Sequence, residues 1–369
     1  MSQPISSNSS HTSHETISPK FDRLYVFGDS LSDNGNESIG LNYIQENLNP
    51  DIEIDASSPP YALGRESNGL IWTDYLANGL GLYLTPALQL AEESPVWENS
   101  DGGYEIVASF AGNTAIQSTN FAFSGARLVN DDEDPGDLIT PSVSSQVDLL
   151  LQDSQIDRIP LSERGLYVIQ GGANDYLSGE FFAPEQPIAS IADSITELYD
   201  AGARYFLVPN LPDLGSTSIS DSLTLEESVF LTDVSNQHND LLETTLRKLE
   251  RDLPDIEIES PDFRALVLDV ANDPIAFDLT NGTDAYLVGE APDFSTTGDN
   301  PDDYFYWDYI HPTTVGQALL SDLALKETIN LFDDTSYYTL GSTWDNICGE
   351  LDRQDIADNF YPQSGLETV

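Results

Sequence analysis

Along this 369-residue chain, short apolar, β-rich runs alternate with stretches of helical spacing, and this alternation limits the folds that the chain can adopt. Four such runs recur, at residues 23–30, 165–175, 204–211 and 264–270, and "STNFAFSGA" at 118–126 is a shorter fifth. The longest helical stretch between them places six apolar or aromatic side chains on one face: Val234, His238, Leu241, Leu242, Leu246 and Leu249. Strands that alternate with helices predict an α/β class, with a parallel sheet covered on both faces as a three-layer α/β/α sandwich.

Polar residues follow three of these apolar runs. Ser30, Asn174 and Asn210 each come directly after a predicted strand. Ligands of open α/β sheets bind beyond the carboxyl ends of the strands. We therefore expect the three side chains to lie at the edge of the sheet that carries the chemistry.

The chain is longer than a usual single domain, but we expect one enlarged catalytic domain over residues 21–335. Residues 37–118 and 272–306 are rich in Pro, Gly, Asn and Asp and are interpreted as insertions that wall the substrate cleft, the first of them containing a helix. Residues 1–20 are expected to form a disordered leader. Residues 336–369 are expected to be an extension that packs on the domain or is partly flexible.

The charge of the chain is strongly negative. Lys plus Arg number 13 against 64 Asp plus Glu, a formal charge of −51, and the acids are spread along the sequence. Nucleic acid and anionic lipid are bound through basic side chains, so neither is an expected partner. The charge is interpreted as a solvated surface or, more specifically, as a halophilic adaptation in which salt screens the repulsion between acids.

Several other classes of site are absent from the sequence. The single cysteine, Cys348, excludes an intrachain disulfide framework and a cysteine-based zinc site. There is no P-loop, no His-Glu-x-x-His and no Gly-x-Ser-x-Gly. Two acidic stretches, 129–137 and 298–303, lack the full ligand spacing of a calcium loop and are interpreted as solvated loops. We therefore expect no metal and no cofactor.

No standard signal peptide and no apolar run of transmembrane length is found. The compartment is left open, with the cytoplasm as the default and non-classical secretion as the alternative. The oligomeric state is also left open.

Ser30 in "FGDSLSDNGN" is a candidate nucleophile, which requires a base to take its proton. Of four histidines, His11 and His14 lie in the polar leader, and His238 lies in an amphipathic helix where a packed or capping role is expected. His311 remains, in "WDYIHPT", with Asp308 three residues earlier. A short turn can bring that carboxylate to the imidazole Nδ1, which completes a serine, histidine and acid triad.

Acyl transfer also needs hydrogen-bond donors for the oxyanion of the tetrahedral intermediate. The backbone N–H of Gly125 in "FSGA" and the side-chain amide of Asn174 in "GGAND" are candidates. Taken singly, each has an ordinary structural explanation, as a turn glycine and as an end cap.

In this order, the four blocks "FGDSLSDNGN", "NFAFSGA", "GGAND" and "DYIHPT" resemble those of the GDSL family of serine esterases and lipases, also called SGNH hydrolases. The resemblance covers about Tyr25 to Leu320 and implies a flavodoxin-like SGNH-hydrolase fold. It implies that Ser30 is the nucleophile, that His311 is the base, and that Asp308 orients it. The implied oxyanion hole consists of the N–H groups of Ser30 and Gly125 and the amide of Asn174. Asp29 and Asp33, in the first block, are expected to support the site.

Residues 58–72, "SPPYALGRESNGLIW", also resemble a stretch of the bacterial branch that includes phospholipase-like and haemolysin-like members. Glu66 departs from that stretch, because an aromatic residue is expected in its place.

The sequence is therefore interpreted as a metal-independent carboxylic-ester hydrolase, an esterase or lipase that works through an acyl-enzyme. One alternative is a lipid acyltransferase or phospholipase of the same family, in which an alcohol can replace water. An alternative from another class is a catalytically inactive protein that binds a lipid or glycan. The acyl length and the alcohol part of the substrate, which could be glyceride, phospholipid, sugar or aryl, are not determined by the sequence.

Overall fold

A computed structural model describes the chain over most of its length. The described residues are 21–51, 60–92, 94–98, 103–106, 108–129, 138–156, 158–178, 183–219, 223–289 and 293–331. The predicted leader, the predicted C-terminal extension and most of the acidic stretch 129–137 lie outside these residues. The predictions for them, and the assignment of 37–118 and 272–306 as insertions, stay predictions.

The regular elements follow one another in a mixed order of helices and strands. The helices are α1 (Asn36–Asn47), α2 (Trp72–Gly79), α3 (Val143–Ile156), α4 (Ala173–Leu177), α5 (Glu185–Asp200), α6 (Leu225–Asp252), α7 (Phe263–Asn272) and α8 (Thr314–Asn330). The strands are β1 (Arg23–Phe27), β2 (Thr85–Pro86), β3 (Val96–Glu98), β4 (Tyr104–Ile106), β5 (Thr119–Asn120), β6 (Leu138–Ile139), β7 (Gly165–Ile169), β8 (Tyr205–Leu207), β9 (Glu257–Glu259), β10 (Asn281–Ala285), β11 (Leu287–Val288), β12 (Ser295–Thr296) and β13 (Tyr304–Tyr306).

The main sheet has six strands in the order β2-β5-β1-β7-β8-β9, and all neighbouring pairs are parallel. Strands β1 and β7 pair over five residues, from Arg23 opposite Gly165 to Phe27 opposite Ile169. Both strands are apolar on their two faces, because a sheet covered by helices on both sides buries every side chain. Ser30 and Asn174 therefore follow adjacent strands in the sheet.

Helices cover both faces of this sheet. On one face, Tyr25 and Phe27 of β1 pack in a core with residues of α3, α5 and α6. On the other face, Leu24 and Val26 pack in a second core with residues of α2, α7 and α8. The α/β class and the three-layer α/β/α arrangement predicted from the sequence are confirmed.

The prediction for residues 264–270, "RALVLDV", is wrong. This run is not a strand but most of α7, and the strand beside β8 is β9, from the less apolar "EIE". The Asp262 side chain caps α7 by accepting the N–H of Ala265 at 2.9 Å. Phe263, Val267 and Val270 are buried, at the spacing of four and three that one helix face requires.

The two predicted insertions supply small sheets and aromatic side chains rather than main-sheet strands, except for β2. Within the first, the helix expected near "LIWTDYLANGLGL" is α2. The ring of Tyr61, from the first insertion, lies edge-on to Phe294 and Trp307, at or next to the second. No helix in the described part of the chain is long and apolar enough to cross a membrane.

Candidate active site

Ser30 lies in the turn that follows β1. At Gly28, the backbone of this turn passes close to several side chains. The N–H of Gly28 donates to Gln146 Oε1 at 2.8 Å, and its carbonyl accepts from Gln146 Nε2 at 2.9 Å. A Cβ atom at Gly28 would lie 3.0 Å from both Gln170 Oε1 and Ser32 Cβ, so a larger residue would displace its neighbours. The glycine thus fixes the path of the chain into Ser30.

Ser30, His311 and Asp308 form a continuous hydrogen-bonded chain, although 281 positions separate the serine from the histidine. Ser30 Oγ lies 2.8 Å from His311 Nε2. His311 Nδ1 lies 2.9 Å from Asp308 Oδ2 and 3.1 Å from Oδ1. Ser30 and His311 are each only 8 % exposed, so these contacts are made largely out of water.

The turn from Asp308 to His311 holds the acid against the imidazole. Asp308 Oδ1 accepts the backbone N–H groups of Ile310 at 2.8 Å and His311 at 2.7 Å. Asp308 Oδ2 accepts the hydroxyl of Tyr61 at 2.8 Å. The spacing of three residues in the sequence therefore corresponds to a local turn whose backbone N–H groups orient the carboxylate.

Charge and burial act in opposite directions on His311. Burial favours the neutral imidazole, but the carboxylates of Asp308 and Glu66 outweigh it and raise the pKa of His311 well above its usual value. Burial likewise favours the neutral form of Asp308, yet His311 and the two backbone N–H groups keep the pKa of that carboxyl below its usual value. The pair thus favours an imidazolium beside an ionised acid.

Gly125 lies on the loop after β5, and Asn174 lies in the first turn of α4. Gly125 has a φ of +76°, in the left-handed region that favours glycine, and a Cβ atom built there would meet no other atom within 4 Å. Asn174 Nδ2 donates to the carbonyl of Ala126, the residue after Gly125, at 3.0 Å. That bond uses one hydrogen of the amide and joins the start of α4 to the "FSGA" loop.

Asp33 connects the turn that carries Ser30 to the loop that carries Gly125. Its carboxylate accepts four backbone N–H groups: those of Gly35 at 2.8 Å, Asn36 at 2.6 Å, Glu37 at 3.0 Å and Ser124 at 3.1 Å. Burial raises the pKa of Asp33 to about 6, although these donors favour its ionised form.

Asp29 has fewer partners, the N–H of Leu31 at 3.1 Å and Gln170 Nε2 at 3.2 Å. Burial raises its pKa to about 6 as well. The side chain of Asn210, the third residue expected at this edge, contacts the start of α7: its Nδ2 donates to Asp262 Oδ1 at 2.7 Å, and its Oδ1 accepts the backbone N–H of Arg264 at 3.0 Å. His238 is buried against the Tyr176 hydroxyl at 2.8 Å, and burial lowers its pKa to about 4.

Glu66 was not predicted as a site residue. Its Oε2 lies 2.8 Å from His311 Nε2, the same nitrogen that contacts Ser30, and its Oε1 accepts the hydroxyl of Ser124. The one signal in the sequence was its departure from the motif around it. Gln146, Gln170 and Tyr61 were also missed, because nothing local in the sequence marks a glutamine or tyrosine that bonds to residues over 100 positions away.

The described residues contain no group of three or more His, Cys, Asp or Glu side chains arranged to hold a metal ion. What the site can do chemically is proton transfer between Ser30 and His311, with an acid to stabilise the imidazolium.

Residues 24–324 match the family model of the GDSL-like lipase/acylhydrolases. Among curated proteins, a GDSL esterase/lipase of Arabidopsis thaliana is 26% identical over 346 residues, which cover 85% of this chain and 93% of the relative. The sinapine esterase of Brassica napus is 25% identical over 345 residues, with 82% and 84% covered. A solved lipase/acylhydrolase structure from Enterococcus faecalis aligns with a TM-score of 0.36 at 13% identity, covering 84% of this chain and 95% of that one. Because the family model spans most of its length, this chain belongs to the GDSL-like lipase/acylhydrolase family and is a carboxylic-ester hydrolase.

Proposed function

We propose that Ser30 is the nucleophile of this ester hydrolase, that His311 is its general base and acid, and that Asp308 orients the histidine. The observation that carries the proposal is the contact of 2.8 Å between Ser30 Oγ and His311 Nε2, continued from Nδ1 to Asp308. A serine hydroxyl becomes nucleophilic when such a base takes its proton, and a carboxylate at Nδ1 stabilises the imidazolium that results.

In the first half of the reaction, Ser30 Oγ bonds to the ester carbonyl carbon while its proton moves to His311 Nε2. The carbonyl oxygen becomes an oxyanion. Its proposed donors are the N–H groups of Ser30 and Gly125 and the second hydrogen of the Asn174 amide. The bond between the carbon and the alcohol oxygen then breaks, and the alcohol leaves with the proton from Nε2.

In the second half, a water molecule takes the place of the alcohol. His311 Nε2 removes a proton from this water as its oxygen attacks the acyl carbon. The bond to Ser30 Oγ then breaks, the proton returns to Ser30, and the carboxylic acid is released. No step needs a metal or an organic cofactor.

The test compares Ser30→Ala with Ser38→Ala, a partly exposed serine of α1 whose hydroxyl accepts only from Asn42 in the described contacts. Turnover of p-nitrophenyl esters from acetyl to palmitoyl is measured for both variants. Ser30→Ala is expected to lose at least about 10³ in kcat, the usual scale for a triad member, and Ser38→Ala to match the wild type. If Ser30→Ala kept more than about a hundredth of wild-type kcat, the assignment of the nucleophile would be wrong.

A fluorophosphonate probe sharpens the same test, since it labels an activated serine without needing a good substrate. Mass spectrometry is expected to find the label on the peptide that contains Ser30. If the folded protein took no label and turned over no ester, the result would favour the alternative hypothesis, a catalytically inactive protein that binds a lipid or glycan.

The acyl acceptor and the branch of the family are finer questions. We propose water as the main acceptor, since the chain belongs to the GDSL-like lipase/acylhydrolase family and resembles esterases. A product analysis with added glycerol separates hydrolysis from acyl transfer. The likeness of residues 58–72 to phospholipase-like and haemolysin-like members stays a prediction, and turnover of phospholipids tests it.

We also propose that the acidic surface adapts the protein to concentrated salt. Its support is the excess of 64 acids over 13 basic residues, which leaves most carboxylates without a cationic partner. The same charge supports the prediction that nucleic acid is not a partner.

A further inference from the structure

The side chain of Glu66 contacts the nitrogen on which the proposed reaction depends. Its Oε2 is 2.8 Å from His311 Nε2, and Ser30 Oγ is 2.8 Å from the same atom. Its Oε1 accepts the hydroxyl of Ser124, the neighbour of Gly125. The Glu66 side chain is 20 % exposed, against 10 % for the side chain of His311, so it is the more solvent-accessible of the two.

The position of Glu66 Oε2 next to His311 Nε2 affects how the departing alcohol can approach that nitrogen. In the proposed mechanism, His311 Nε2 hands its proton to the oxygen of the departing alcohol, which must come within about 3 Å of that nitrogen. Ser30 already occupies one approach to Nε2, and Glu66 Oε2 occupies another. The alcohol part of a bound ester must therefore displace Glu66 from Nε2 and will then lie beside its carboxylate.

Carboxylates surround this position. Asp308 is bonded to the far side of the imidazole, and Asp33 lies behind Ser124 through the N–H of that residue. Burial, Glu66 and Asp33 raise the pKa of Glu37 to about 8, so this acid is largely protonated near pH 7 and adds little negative charge. The basic residue next in sequence, Arg65, forms a buried bidentate pair with Asp74 through bonds of 2.7 and 3.0 Å. A positive charge on the substrate would thus enter a region of negative potential.

We propose that Glu66 is a specificity-determining residue for the alcohol side of the ester, and that it favours alcohols that carry an ammonium group over neutral alcohols of the same shape. This inference rests on the proposed roles of Ser30 and His311. Alcohols that carry a phosphate are disfavoured by the same carboxylate. An aromatic residue, which the sequence motif leads one to expect at position 66, would offer no full negative charge.

The experiment compares two acetate esters of nearly equal shape, acetylcholine and its uncharged carbon isostere, 3,3-dimethylbutyl acetate. Both give the same acetyl-enzyme, so the ratio of their kcat/KM values compares only binding and acylation, the steps in which the alcohol part of the ester is present. Wild type is expected to prefer acetylcholine by about tenfold in about 0.1 M salt, from one charge contact in a partly shielded site. Glu66→Gln keeps the shape and the acceptor oxygen but removes the charge, and is expected to reduce the preference to below about twofold.

The matched control is Asp240→Asn, which removes one charge from the exposed face of α6. It is expected to keep the wild-type ratio, which separates a local effect of Glu66 from the attraction of any cation to an acidic protein.

Each other outcome is decisive. A wild-type ratio near one, or an equal ratio in Glu66→Gln, overturns the inference. A large and equal loss of both activities in Glu66→Gln also overturns it, because Glu66 would then act on the chemistry itself. Hydrolysis of p-nitrophenyl acetate is the separate readout of the proposed function: if the wild type lacks it, that proposal fails, whereas its presence with no charge preference refutes only the role of Glu66.

Discussion

Two sets of carboxylates in this molecule are held in opposite ways. At the carboxyl edge of the main sheet, Asp33 and Asp308 each accept several backbone N–H groups. On the outer face of α6, acids such as Asp233 and Asp240 are exposed. The ion pairs described on that face, Glu243 with Arg247 and Lys248 with Asp252, join side chains that are more than half exposed.

The two sets differ in how strongly the surrounding protein fixes each carboxylate. A buried carboxylate needs donors to offset its lost hydration, so its position is determined by the backbone around it. An exposed carboxylate is solvated by water, and a surface ion pair contributes only about 0–1 kcal/mol. The first set should therefore respond to substitution and to pH, and the second mainly to salt.

The largest difference between the two sets is expected in catalysis. Asp308→Asn places an amide N–H at His311 Nδ1, which makes Nδ1 an acceptor and favours the tautomer with the proton on Nε2. In that tautomer, Nε2 cannot accept the proton of Ser30. We expect kcat for p-nitrophenyl acetate to fall by about 10⁴, the scale known for such a change in a serine triad. The matched exposed variant, Asp240→Asn, should match the wild type. A loss of less than about tenfold in Asp308→Asn would remove the orienting role of Asp308.

A smaller but still large difference is expected in stability. Asp33→Ala leaves four backbone N–H groups without their acceptor, and Asp233→Ala removes a solvated group from α6. We expect Asp33→Ala to lower the free energy of unfolding by about 3 kcal/mol or more, and Asp233→Ala to change it by less than about 0.5 kcal/mol. Urea unfolding measures both. Equal effects would mean that water satisfies the N–H groups around Asp33.

The pH dependence of kcat/KM distinguishes the sets again. His311 must be neutral to act as a base, and Asp308 and Glu66 raise its pKa despite burial, so activity should fall as the pH drops through the neutral to mildly alkaline range. Removing the charge of Glu66 in Glu66→Gln should move this acid limb to lower pH, because one of the two carboxylates that raise the pKa of His311 is lost. Asp240→Asn should leave it in place. Wild-type activity that is flat down to about pH 5 would contradict His311 as the base.

The smallest expected effect belongs to the exposed set. Raising salt to about 1 M shortens the screening length from about 10 Å to about 3 Å, which weakens the repulsion among acids in a chain of charge −51. Thermal melts at about 0.05, 0.5 and 2 M NaCl should show the midpoint rising by several degrees, with esterase activity at least preserved. An unchanged or falling midpoint would leave the acidic surface without the proposed role.

The sequence predicted the parts of the fold that local pattern controls. The apolar runs of β1 and β7, the long helix α6 and the turn from Asp308 to His311 all follow from spacing within a few residues. The prediction of a strand at "RALVLDV" was wrong because a short apolar segment is compatible with either a buried strand or one face of a helix. Its capping residue, Asp262, lies just before the run, and was the local sign of a helix.

The fold class and the candidate serine, histidine and acid could be predicted from the sequence, because strands, turns and short motifs depend on neighbours along the chain. What surrounds these candidates depends on the tertiary structure. Gln146 holds Gly28 across 118 positions, Asp33 reaches Ser124 across 91, and Glu66 meets His311 from a separate insertion. Such contacts depend on how layers pack and which polar groups become buried together, and burial is a property of the whole folded chain rather than of any local segment.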